Sequence, residues 1–208
     1  MGVDAGTWRR GDSLVLWSFA LPAPGHASEA FDELRRASLA AAAALGDFAV
    51  ARAVQLTTRS DGDGAATRVD EGGLDEPTIA AFLDQHGDTE QVFYELSLRV
   101  TPDGESEERI QNGARLWLSL DWPDPDRPAT GTPALTLALS LDVDLYAAES
   151  RGASRENRAL SVLNAPRLRD FLARLREELQ AELSDLDRGS YKDQVTPDGF
   201  LPPTGTTH

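Results

Sequence analysis

The sequence predicts an α+β domain: an antiparallel sheet of about five or six strands, packed on one face by an N-terminal helix and a long C-terminal helix. Two patterns carry that expectation. Between residues 92 and 146 apolar side chains recur at every second position in three successive segments, the period of a strand with one buried face. From Leu168 onward they recur every three or four positions, the period of an amphipathic helix.

The elements follow in order. Residues 13–21 (SLVLWSFAL) are almost continuously apolar and predict an interior strand, ended by Pro22 and Pro24. Ser28 is placed to cap a helix with Phe31, Leu34, Ala41 and Leu45 on its inner face and Gly46 just past its end. Its alanine run at 40–44 allows close approach to a sheet. Residues 47–59 alternate, with Phe48, Val50, Val54 and Leu56 assigned to one face. Asp61-Gly62-Asp63-Gly64 then turns the chain into a short strand from Ala66 to Asp70, a hairpin signal. The same four residues imitate the start of a calcium loop, but Ala65 and Gly72 stand where further oxygen ligands are needed. A short helix follows, with Asp75 or Glu76 as cap, Pro77 in the first turn, His86 in the last and Gly87 at the exit.

The central third predicts a β-meander over 92–146. Val92, Tyr94, Leu96, Leu98 and Val100 form its first buried row, Leu116, Leu118, Leu120 and Trp122 the second, and the leucines at 135, 137, 139 and 141 the third. Ser154 and Asn164 can each start a helix, with Pro166 in the first turn of the second. The stripe Leu168, Phe171, Leu172, Leu175, Leu179, Leu183 and Leu186 predicts one amphipathic helix over 168–186, roofing the meander. Residues 1–188 are therefore read as a single domain, and 189–208, rich in Pro, Gly and Thr, as an extended C-terminal arm.

Composition bounds the function. Zero cysteines exclude a disulfide framework, a zinc-thiolate site and a thiol nucleophile, and fit a reducing, cytoplasmic compartment. The three histidines are scattered, and no phosphate loop, nucleophile elbow or metal-ligand pair occurs. No catalytic residue, metal ligand or cofactor is assigned. Thirty-five acidic residues against twenty basic ones give a net charge of −15, which excludes general affinity for nucleic acid or an anionic membrane. Arg9-Arg10 before an apolar stretch imitates a secretory leader, but Asp4 and Asp12 flank the arginines and favour a structural strand.

The polar face of the meander is the candidate site: Glu95, Arg99, Arg115, Trp117, Asp121, Asp142 and Asp144 share it if alternation holds to the strand ends. An indole on such a face either packs under another element or marks a recognition surface. The leading expectation is an acidic, non-catalytic binding protein, of inhibitor or immunity type, for a basic protein partner. One alternative is a carrier of a small apolar ligand between the sheet and the last helix. Another is a carboxylate- or Mg²⁺-dependent enzyme using Asp142 and Asp144 with Asp121 or Glu95. A homodimer through the C-terminal helix or arm is the assembly the apolar stripe allows.

Overall fold

The computed structural model describes residues 9–59, 65–123, 131–149 and 157–203. Seven antiparallel strands form one sheet: β1 (Arg10–Ala20), β2 (Ala49–Thr58), β3 (Ala65–Val69), β4 (Thr89–Val100), β5 (Glu108–Asp121), β6 (Ala134–Val143) and β7 (Glu182–Asp187). Their spatial order is β3-β2-β4-β5-β6-β1-β7. The predicted meander is the central run β4-β5-β6. The first strand closes against its last member, Trp17 standing opposite Leu139.

Register sorts the side chains into two faces. Tyr94 lies opposite Leu116, and Leu116 opposite Leu139. This row and its neighbours Leu96, Leu118, Leu137 and Leu141 are all but sealed from solvent. The layer over them begins with α1 (Ala30–Ala44), entered through a 3-10 turn at Ala27–Glu29. His26, not Ser28, therefore stands at the entry, its amide donating to Glu29 Oε2 at 3.2 Å. The small buried residues Ala37, Ser38, Ala41 and Ala44 let α1 sit close on β4 and β5. Gly46 leaves it at φ 46°, a left-handed exit that glycine takes without Cβ strain. Next to it, α2 (Glu76–Asp84) is capped by Asp75, whose carboxylate accepts from the Thr78 amide at 2.9 Å.

The long helix differs from its expected form at both ends. α3 runs from Arg158 to Glu178 without a break, with Pro166 inside it. Asn164 starts nothing: its side chain is buried and exchanges hydrogen bonds with the Thr101 backbone, tying α3 to the exit of β4. Pro166 sits on the exposed side, where its missing amide removes one helical bond, the one to the Val162 carbonyl. At the other end Leu183 and Leu186 belong to β7, opposite Phe19 and Trp17, so the predicted helix over 168–186 stops eight residues early. The rest of the stripe roofs the sheet as expected: Leu168, Phe171, Leu172 and Leu175 are fully buried, and Phe171 stacks on Phe48 at 4.6 Å.

Val50 is a second correction. A bulge between Ala51 and Ala53 inserts Arg52 into β2, so Ala49 and Ala51 take the core face and Val50 turns to the other side. After β7 the chain makes a 3-10 turn and the hairpin β8 (Val195–Thr196) and β9 (Gly199–Phe200). Tyr191, Val195 and Phe200 enter the same core, and Trp17 Nε1 donates to the Thr196 carbonyl at 3.0 Å. The Asp61–Gly64 turn and the Ser154 helix start lie outside the described residues.

Candidate functional site

The opposite face of the sheet carries no helix among the described residues. Its middle row runs Phe93 on β4, Trp117 on β5, Ala138 on β6 and Ser18 on β1. Phe93 and Trp117 stand directly opposite each other, stacked at 6.4 Å between centroids, and both are half-buried. Cross-strand aromatic pairs of this kind stabilise a sheet, yet here they also present two flat apolar rings to solvent.

The next row, one residue pair along, is charged. Glu95 faces Arg115, and Arg115 faces Ser140. Arg115 Nη2 donates to Asp142 Oδ1 at 2.9 Å and to Asp12 Oδ1. Partial burial alone would lower the Arg115 pKa, but the hydrogen bonds and attraction of Asp142 and Asp12 outweigh it and raise it. Glu95 makes no ion pair among the described residues. Asp12 reaches the site through an irregularity in β1. Ser13 adopts φ 50° where the pairing with β6 shifts, and its amide donates to Asp142 Oδ1 at 2.9 Å.

Arg115 stands between two adjoining hollows. One, of about 380 Å³, is floored by Phe93 and Trp117 and edged by Gln91, Ser13, Ser140 and Asp12. The other, of about 390 Å³, is lined by Glu95, Asp12, Asp142, Asn112 and Arg10. Farther out, β7 adds Asp185 and Asp187, opposite Ser18 and Leu16 on the same face. The face thus sets carboxylates beside a pair of partly exposed aromatic rings.

Of the seven residues expected on this face, Glu95, Arg115, Trp117 and Asp142 come together. Arg99 and Asp121 share the face but lie at its two ends. Arg99 stands opposite Arg109 and 3.7 Å from Glu107, while Asp121 accepts from Thr136 Oγ1 at 3.3 Å. Asp144 is a correction. The strand ends at Val143 and the chain turns, so alternation no longer governs the next side chain. The Asp144 carboxylate is buried on the core side, accepting from Tyr191 Oη at 2.7 Å and from the Arg9 amide at 2.5 Å. The carboxylate pair required by the Mg²⁺ or acid–base alternative therefore does not converge.

The carrier alternative requires space between the sheet and the final helix, which Phe48, Phe171, Tyr146 and Phe200 fill. Among the described residues no helix is long and apolar enough to cross a membrane, and no three acidic or histidine side chains converge as a metal site.

Sequence reasoning missed Asp12 and underused Phe93. Phe93 was readable, because it shares the parity of Glu95. Asp12 was not, because its place depends on a strand pairing that spans most of the chain. No family, curated protein or solved structure is matched by this chain.

Proposed function

We propose that this protein is a non-catalytic binding protein whose open sheet face docks a basic protein partner, as an inhibitor or immunity-type factor would. The observation that carries the reading is the stacked Phe93–Trp117 pair, uncovered by any described element and bordered by Asp12, Glu95 and Asp142. Aromatic rings supply contact area at low entropic cost, and surrounding carboxylates supply steering and register. A second copy of the chain makes a poor occupant, because the same acidic border would face itself across the interface. A cytoplasmic setting suits a chain without cysteine.

The test separates this face from diffuse attraction to a chain of charge −15. A labelled oligoarginine peptide is titrated by fluorescence anisotropy into the wild type and into Trp117→Ser, which keeps the charge. Binding that falls steeply from low to physiological salt, and that the variant loses, supports the reading. Equal binding by both proteins, or none by either, overturns it.

A further inference from the structure

We infer that the anchor group recognised on this face is a single guanidinium, seated flat over Trp117 and paired with Asp12, an inference that rests on the docking reading above. The aromatic hollow has the right chemistry on each side. Two aromatic rings line it, a ring quadrupole attracts a cation, and a planar guanidinium stacks on an indole where an ammonium cannot. Its edge carries hydroxyl and amide oxygens from Ser13, Ser140 and Gln91, acceptors for the N–H groups of the fork.

The counter-charge is available because the local ion balance is uneven. Asp12, Asp142 and Glu95 line the charged hollow against two guanidiniums, Arg115 and Arg10. Asp142 is the inner member: its side chain is 13% exposed, and it also accepts from the Ser13 amide, so it holds Arg115 in place by itself. The Asp12 side chain is 89% exposed and can swing from Arg115 to an incoming cation without opening a buried contact. Arg115 thus sits, in the free protein, as the internal competitor for the carboxylate that the ligand uses.

The probes are a blocked Gly-Arg-Gly peptide and its lysine and citrulline analogues, followed through the indole N–H resonance of Trp117, assigned by Trp117→Phe. Arginine is expected to bind tightest and citrulline about tenfold more weakly, the loss of one charge-assisted stack. Asp12→Asn, at an exposed position, weakens the arginine peptide and leaves citrulline unchanged. Arg115→Gln tightens it by freeing Asp12. Citrulline binding as well as arginine, or Arg115→Gln weakening the arginine peptide, overturns the inference. In that case oligoarginine binding that still depends on Trp117 leaves the docking reading standing; its loss as well would remove both.

Discussion

Two tyrosines show how much a single buried hydroxyl depends on its surroundings. Tyr94 and Tyr146 are both fully buried, and burial holds both phenols above their ordinary pKa. Tyr94 Oη donates to the Ser38 carbonyl of α1 at 3.2 Å, whereas Tyr146 Oη has no partner among the described residues. Tyr94→Phe should therefore cost about 1 kcal/mol, and Tyr146→Phe should be neutral or slightly stabilising, since a buried polar atom without a bond costs its desolvation. Urea denaturation of the two variants side by side measures the difference. Asp103 gives a second residue-level expectation. Its carboxylate accepts from the Ser106 amide and hydroxyl, each at 2.8 Å, and from the Glu105 amide at 3.0 Å. Those bonds, the Ser106 amide foremost, lower its pKa to about 2. The sign follows from linkage: the contribution is complete above the ordinary carboxylate value and disappears as pH falls through about 2. A carbon-detected NMR titration should find that midpoint, and Ser106→Ala should move it upward.

The end of α3 explains why one element was legible and its boundary was not. The Ala181 amide bonds back to the Arg176 carbonyl at 3.1 Å, with Gln180 at φ 51°, which is a Schellman stop. Helix ends of this type normally announce themselves by glycine, as Gly46 does after α1. Here glutamine occupies the left-handed position, and Leu183 and Leu186 beyond it continue the helical spacing. Local pattern thus favours one rod, while the pairing of β7 with β1, Leu186 opposite Trp17, decides otherwise. Gln180→Gly should raise stability by about 0.5–1 kcal/mol, the relief of Cβ strain less the entropy of glycine. Thermal unfolding measures it, and a loss of stability would mean that the glutamine side chain contributes more than its backbone costs. The meander, by contrast, was readable throughout, because period two persists for several residues in each strand. Within it alternation failed where pairing ended, at Asp144; in β2, outside the meander, it failed beside a bulge, at Val50.

At the scale of the whole molecule, charge and chain closure work against each other. The net charge of −15 makes the folded state repel itself, so raising monovalent salt from a low value should increase Tm by a few degrees. A fall in Tm over the same range would mean that ion pairs such as Arg35–Asp84 outweigh the repulsion. Closure depends on the last described segment. Composition after Gly189 reads as an extended arm, because among its Pro and Gly the apolar residues are spaced too irregularly to form a pattern. In the fold Phe200 lies 6.3 Å from both Trp17 and Tyr146, and Tyr191 reaches the buried Asp144, which also receives the Arg9 amide. The two ends of the domain are thereby joined through one carboxylate. Burying Tyr191, Val195 and Phe200 contributes on the order of 4.5–9 kcal/mol at about 1.5–3 kcal/mol per side chain, comparable with the entire stability of a typical domain. A chain ending at Arg188 should consequently lose cooperative urea unfolding and near-UV circular dichroism, with Trp17 emission shifted to the red. If that shortened chain instead unfolds in one sharp transition with native near-UV signal, 1–188 folds alone and the segment after it is an appendage, not a wall of the core.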